Sequence, residues 1–453
     1  MRRGGSIIRD GRSQLMTAPD TLADFSSLLE EAPREPAPRG RGGRIALIVF
    51  LVILLATLGG GGGYVWWASA AALPAPTVTS KAPSVSPGAV ASLALPSSGS
   101  ARLAIEGGEQ FLGPDAAGVF ASSGGDDARP IASIAKLLTA LVVLDAHPLS
   151  DASDPGPTIA FTEADTDLYD RFYVQGVTIA AMPDGTRMPL HDALATMLLP
   201  SASNYAVAIA RWGFGSEGAY VDAARSWLSR NGLNDTRIVD ATGIDARNTS
   251  TPGDLVAIGR IAAANPTIAA ITATRSISVT GAGTVTNTND LLGTLGVNGL
   301  KTGNLGDGTF NLLFTASLDV GIGSPLKITG VRLGGATHDS TDDDVARLLQ
   351  SVSDGFHDVT VGTLGATIGT ITTPWGSDAS LVLARNAELR TWSDTPVTVT
   401  LDTVAPRTYA DGETVGTVTW TAGPQSTSAD VKISGAIEEP TLLWRLTHPG
   451  ELR

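Results

Sequence analysis

Five lysines stand beside 26 arginines in this chain, and two of the five fall inside short motifs whose residue types suit one chemistry. Ser133-Ile134-Ala135-Lys136 opens an apolar helical pattern, and Lys301-Thr302-Gly303 lies far downstream between strand-like segments. A serine and a lysine three apart on a helix share one face, which sets a hydroxyl beside an amine that can take its proton. Pro130 precedes Ser133, and 136–144 continues as an apolar run, so Ser133 falls in the first helical turn. Free backbone N–H groups and the helix dipole there favour an alkoxide or a tetrahedral oxyanion. Buried near a second cation, Lys136 loses basicity and can serve as a neutral base. Lys301 and the Thr302 hydroxyl can hold a terminal carboxylate by charge-assisted bonds, and Gly303 lets a ligand backbone approach the strand edge. The N–H groups of Asn304 and Ser133 can together form an oxyanion hole.

The competing reading of Ser133 is an N-cap with a surface lysine one turn on; the apolar residues around Lys136 count against it. A second serine–lysine spacing, Ser324 to Lys327, holds Pro325 within a strand-like stretch, and nothing there aligns the two side chains. Five histidines (His147, His191, His338, His357, His448) show no metal spacing and no H-E-x-x-H pattern, so neither a metal nor an organic cofactor is expected. No G-x-S-x-G elbow is present. Asp342-Asp343-Asp344 reads as acids opening a helix, where the dipole favours them. The absence of cysteine excludes disulfides and a thiol nucleophile.

The elements that must position these motifs follow from patterning. Residues 1–44 are polar and rich in Pro, Gly and Arg, and read as a disordered cytoplasmic tail. They hold eight Arg and six acidic residues, so the rest of the chain carries -16 of the net -14. A body that acidic argues against nucleic-acid binding. Residues 45–68 are uncharged and apolar, a transmembrane anchor of roughly 36 Å as a helix, against about 30 Å of bilayer core. Arginines 34, 39, 41 and 44 on its N-terminal side place the tail in the cytoplasm and the remainder outside the cell membrane. Ala68-Ser69-Ala70 also fits a signal-peptide cleavage site, but the leader before the apolar run is long for one.

Residues 69–100 are an Ala/Pro/Ser-rich linker. A globular region over 101–358 has strand-like segments at 101–106, 117–122, 276–279, 308–317 and 326–333. Helical patterns run over 133–145, 190–212, 218–231, 251–264 and 342–356. Helices around an antiparallel sheet make an α+β domain. Short Val/Thr-rich runs between turn clusters over 359–453 predict a separate, small all-β domain.

The segment 129–136, Arg-Pro-Ile-Ala-Ser-Ile-Ala-Lys, closely resembles the nucleophile segment of the low-molecular-mass penicillin-binding proteins, the serine-type D-alanyl-D-alanine carboxypeptidases. Leu198-Leu199-Pro200-Ser201, the stretch 236–245 and Asn287-Thr288-Asn289 resemble further family segments in the same order. The resemblance covers about 101–356 and implies a β-lactamase/transpeptidase-like domain. It implies Ser133 as nucleophile, Lys136 as its base and Ser201 as a proton relay. Ser203, Asn204, Lys301, Thr302, Gly303 and Asn304 would bind substrate. The implied substrate is a peptidoglycan stem peptide ending in D-Ala-D-Ala, and β-lactams would be inhibitors. One departure stands out: the middle motif, normally S-x-N, reads Ser201-Ala202-Ser203, and Asn204 comes one residue late. That leaves a catalytically weak or inactive wall-binding protein, or a β-lactamase, as the alternative functions.

Overall fold

The computed structural model describes residues 42–453; the disordered tail expected over 1–44 falls, up to residue 41, outside the described residues. Two units make up the chain, one formed by the N-terminal segment to Leu73 with Thr441–Arg453, the other by Pro74–Pro440.

In the first unit, Gly42–Ala70 is one 29-residue helix, apolar and exposed except at the buried Ala68. At 1.5 Å per residue it measures ~44 Å, long enough to cross a membrane. Its last carbonyls have no helical partner. Arg445, on the short helix Leu442–Thr447, fills that need by donating to the Ala68 and Ala71 oxygens at 3.3 and 2.9 Å. Ala72 and Arg453 exchange backbone bonds of 3.1 and 3.0 Å. The all-β expectation for 359–453 therefore stops short of the C-terminus, where the chain is helical.

The second unit is α+β. An antiparallel five-stranded sheet runs in the order Val297–Gly303, Phe310–Leu318, Leu326–Gly335, Ser100–Glu106, Ala121–Ser123. Alternation along the strands gives it two apolar faces. Ala104, Leu300, Leu313 and Val331 face one core, shared with the helices Ala135–Ala146, Ser203–Phe214 and Pro252–Ala264. Leu103, Ile105, Leu312, Phe314 and Ile328 face a second core beneath the helix His338–Asp354. The Lys301 strand is an edge of this sheet.

The helical pattern expected over 190–212 is two helices, Leu190–Leu198 and Ser203–Phe214. Pro200 cannot continue the first, and Ser201 has a left-handed φ of 67°. The acidic run at 342–344 does not open its helix, which starts four residues earlier at His338 behind a Thr337 cap. The helix Glu163–Val174 was not expected.

The C-terminal strands form a six-stranded antiparallel sheet in the order Thr77–Ser80, Thr367–Thr372, Asp378–Leu383, Gln425–Ser434, Thr414–Ala422, Thr398–Thr403. A two-stranded ribbon of Phe356–Gly362 and Ala387–Trp392 lies apart from that sheet in its pairing, and both contribute to a core around the fully buried Trp420. Thr77–Ser80 comes from the segment expected as a linker; it is an edge strand that pairs with Thr367–Thr372.

Candidate active site

Ser133 sits in a single 3-10 turn, Ala132–Ile134, that leads into the helix Ala135–Ala146. Ala132 holds a φ of 51°, a conformation that costs about 1–3 kcal/mol in a non-glycine residue and concentrates at functional sites. Three separate ties hold the turn. Ile131 N–H donates to the Asn248 carbonyl at 3.0 Å, and Asn311 Nδ2 donates to the Pro130 carbonyl at 3.0 Å. Gly303 presses on the turn from the edge strand, since a Cβ there would lie 2.9 Å from both the Ile131 oxygen and the Ser133 nitrogen. The strand motif and the nucleophile turn are therefore in contact, as the sequence predicts.

Lys136 is fully buried, and its Nζ donates to Ser133 Oγ at 2.8 Å and to the Thr242 carbonyl at 2.8 Å. Burial first, and the nearby Lys301 charge second, push its basicity well below that of an ordinary lysine; Asp240 acts in the opposite direction. Lys301 is also buried, and desolvation brings its pKa down to about 7. Its Nζ approaches the Thr302 and Thr288 hydroxyls at 3.4 and 3.5 Å, and those two hydroxyls share a 2.6 Å bond. The Thr288 N–H donates to the Leu199 carbonyl at 3.1 Å, which ties this corner to the segment just before Ser201.

The middle motif is partly as expected. Ser201 is buried, its left-handed φ aims it differently from its helical neighbours, and it makes no hydrogen bond to Ser133 or to either lysine. Ser203 opens the helix Ser203–Phe214; its Oγ is buried and has no partner. Asn204 is bonded to the neighbouring loop. It is fully buried, its Nδ2 donates to the Ala180 oxygen at 2.8 Å and its Oδ1 accepts from the Ala180 N–H at 3.1 Å. These two bonds tie the amide to the 178–181 loop and use one of its two N–H donors and one of its oxygen lone pairs. Asn304 lies at the exposed end of the edge strand.

Asp240, Thr242, Asn248, Thr288 and Asn311 were not singled out from their types or spacing. Asp240 Oδ1 accepts from the Thr242 N–H and hydroxyl, both at 2.6 Å, and from the Gly243 N–H at 2.8 Å. Its Oδ2 accepts from Asn248 Nδ2 at 2.7 Å and the Asp245 N–H at 3.2 Å. This carboxylate folds the loop that presents the Thr242 carbonyl to Lys136. Gly243 completes it with a φ of 81° and an approach to the Ala132 carbonyl that no side chain would fit. The signal in sequence was the run of Asp, Thr, Gly and Asn turn residues over 240–248.

The arrangement is a serine hydroxyl bonded to one buried lysine, with a second buried lysine on the sheet-edge strand close enough to act on the first. It suits acyl transfer from a substrate with a carboxylate near the scissile bond.

Part of the chain is similar to known proteins. Residues 113–322 match the D-alanyl-D-alanine carboxypeptidase family. The D-alanyl-D-alanine endopeptidase of Escherichia coli K12 is 31% identical over 158 residues, 35% of this chain and 47% of that protein. The D-alanyl-D-alanine carboxypeptidase DacD of Salmonella typhimurium LT2 is 25% identical over 288 residues, 62% of this chain and 71% of that protein. The chain thus spans about half the length of the endopeptidase and more of the carboxypeptidase. Among solved structures, penicillin binding protein 5 from Haemophilus influenzae aligns with a TM-score of 0.49 at 18% identity, covering 79% of this chain and 99% of that one. The nucleophile turn, the buried lysine pair and the 240–248 loop all lie inside residues 113–322, the segment that matches the D-alanyl-D-alanine carboxypeptidase family.

Proposed function

We propose that this protein is a membrane-anchored serine carboxypeptidase that removes terminal D-Ala from peptidoglycan stem peptides ending in D-Ala-D-Ala. The observation that carries the reading is the 2.8 Å contact of buried Lys136 Nζ with Ser133 Oγ, beside a second buried lysine. Burial lowers the basicity of this amine, and in its neutral form it can accept the hydroxyl proton over the same 2.8 Å once the hydroxyl rotates to donate. Ser133 Oγ then attacks the carbonyl of the penultimate residue. The Ser133 and Asn304 N–H groups receive the oxyanion, and Lys301 with Thr302 holds the terminal carboxylate.

The free edge of Val297–Gly303 can take the peptide as an added strand. Terminal D-Ala leaves with a proton relayed by Ser201, and water hydrolyses the acyl-enzyme. The helix Gly42–Ala70, with arginines before it, anchors the catalytic region on the extracytoplasmic side of the cell membrane. β-Lactams would acylate the same hydroxyl. The division of the chain into a membrane helix, a linker, a peptidase region and a β-domain is part of the same proposal. A weakly active wall-binding protein is the second reading, and the unpartnered Ser203 hydroxyl where the family carries asparagine is its support.

One experiment tests both. Intact mass after benzylpenicillin treatment is expected to show one adduct on the full-length protein and none on Ser133→Ala, with D-Ala released from a peptide ending in D-Ala-D-Ala by the first alone. An unmodified wild-type protein that also releases no D-Ala would end the carboxypeptidase reading.

A further inference from the structure

We propose that Asp290, His338 and Asp342 form a binding site for a divalent transition-metal cation of the zinc or manganese type, behind the Lys301-Thr302-Gly303 strand. One imidazole nitrogen and one oxygen from each carboxylate lie within 4.8 Å of one another. His338 and Asp342 are four residues apart on one face of the helix His338–Asp354. Their separation is informative. His338 Nδ1 and Asp342 Oδ2 stand 3.4 Å apart, longer than a charge-assisted hydrogen bond of about 2.7–2.9 Å. Two ligands held at about 2.0–2.1 Å by one tetrahedral zinc would stand roughly 3.3 Å apart.

The second observation is Asp342 itself. It is only 9% exposed, and its other oxygen, Oδ1, is buried without a hydrogen-bond partner. A buried, unpartnered carboxylate oxygen is costly unless something outside the protein compensates it. The neighbouring acids do not compete for that role. Asp344 pairs with Arg332 at 2.9 Å and Arg347 at 2.5 Å, and Asp343 reaches Arg347 at 4.0 Å. Asp290 is exposed, which gives an ion and its remaining water ligands an entry path. A nitrogen with two carboxylate oxygens suits zinc or manganese better than calcium or magnesium, which favour oxygen alone.

The site touches the catalytic corner. Thr302, Gly303, Asn304, His338, Thr341 and Asp342 line one small cavity, and Thr288, two residues before Asp290, bonds the Thr302 hydroxyl. A cation there adds positive charge beside the place proposed for the substrate carboxylate; this consequence alone rests on the proposed function.

The test uses the full chain in detergent, stripped of metal by chelator and titrated calorimetrically with Zn2+ and with Mn2+. One equivalent is expected to bind, with affinity reduced about tenfold or more in His338→Asn and Asp342→Asn and unchanged in Asp343→Asn. Zn2+ or Mn2+ is also expected to raise the thermal midpoint of the wild type and of Asp343→Asn, but not of the two ligand variants, whose metal-free melts report whether they fold. Should those variants fail to fold, Asp290→Asn at the exposed position carries the same expectation. Equal binding by wild type and ligand variants, or none by the wild type, would overturn the site. Metal binding without acylation by benzylpenicillin would leave it standing while removing the proposed function, and the reverse pattern would do the opposite.

Discussion

Replacing Asp240 by asparagine tests the least obvious part of the site. The carboxylate accepts five hydrogen bonds and touches neither Ser133 nor Lys136 by a bond of its own. An asparagine can keep the three bonds at Oδ1. It must then turn an NH2 toward Asn248 Nδ2 and the Asp245 N–H, which are both donors. Two bonds to a charged acceptor are lost, each worth about 1.5–3 kcal/mol. The Asp245 contact is the longer of the two at 3.2 Å, and the loop can relax, so the net cost should be ~3 kcal/mol. That is roughly a hundredfold in the unfolding equilibrium, well within reach of urea titration.

The second effect has a definite sign. Asp240 favours the charged form of Lys136, so removing the anion lowers Lys136 basicity further. Acylation by a fluorescent penicillin needs the neutral amine, and its rate rises as pH passes the Lys136 pKa. In Asp240→Asn the acid limb of that profile should move to lower pH, while the plateau rate falls because the Thr242 carbonyl is less well held. The profile is measured by stopped flow across pH, beside the urea titration. An acid limb that stays in place, or shifts upward, would refute the electrostatic part; unchanged stability would refute the loop-folding part.

Four further outcomes are expected. Lys301, with a pKa of about 7, is charged below that pH and neutral above it, so KM for a carboxylate-ended peptide should rise above pH ~7, a dependence that Lys301→Met should abolish. The same depression means the unfolded chain keeps this proton up to about pH 10.4 while the folded chain loses it near 7, so stability gains up to ~1.4 kcal/mol per pH unit in that window, and urea titrations of Lys301→Met should show the slope reduced. Ser203→Asn should supply the amide that the motif lacks and improve peptide turnover about two- to tenfold, the worth of one hydrogen bond, with steady-state D-Ala release as the measurement; unchanged or lower turnover would count against the substrate role of position 203. Gly303→Ala would place a Cβ 2.9 Å from the Ile131 oxygen and the Ser133 nitrogen, costing about 1–3 kcal/mol in stability and slowing penicillin acylation, both read on the purified protein.

What was legible before the structure is what lies within one turn or one strand. Ser133 and Lys136 are three residues apart, so helix geometry alone brings them together, and the apolar run after them tells which way the lysine faces. The sheet strands of 326–335 and 100–106 show in their apolar content because they are buried on both faces. Roles set by chain closure did not show. Asp240 matters because its loop returns to Lys136 from 104 residues away, and Asn311 because its strand passes the nucleophile turn 181 residues from Pro130. Thr77–Ser80 offers only a short Thr-Val-Thr signal in a proline-rich stretch, and its pairing with 367–372 makes it a strand.

Positions 203 and 204 show why local spacing has a limit. Both were plausible ligand contacts, and the choice depends on where one helix starts and how the residue before it turns. With Ser201 left-handed and the helix opening at Ser203, the Asn204 amide falls on Ala180 and bonds its backbone N–H and carbonyl. Ser203, one position earlier, is left with a buried hydroxyl and no partner. A shift of one residue rotates a helical side chain by about 100°, enough to exchange a ligand-facing position for a structural one. Residue identity alone does not tell which of the two bonds the neighbouring loop; the backbone geometry assigns that bond to the asparagine.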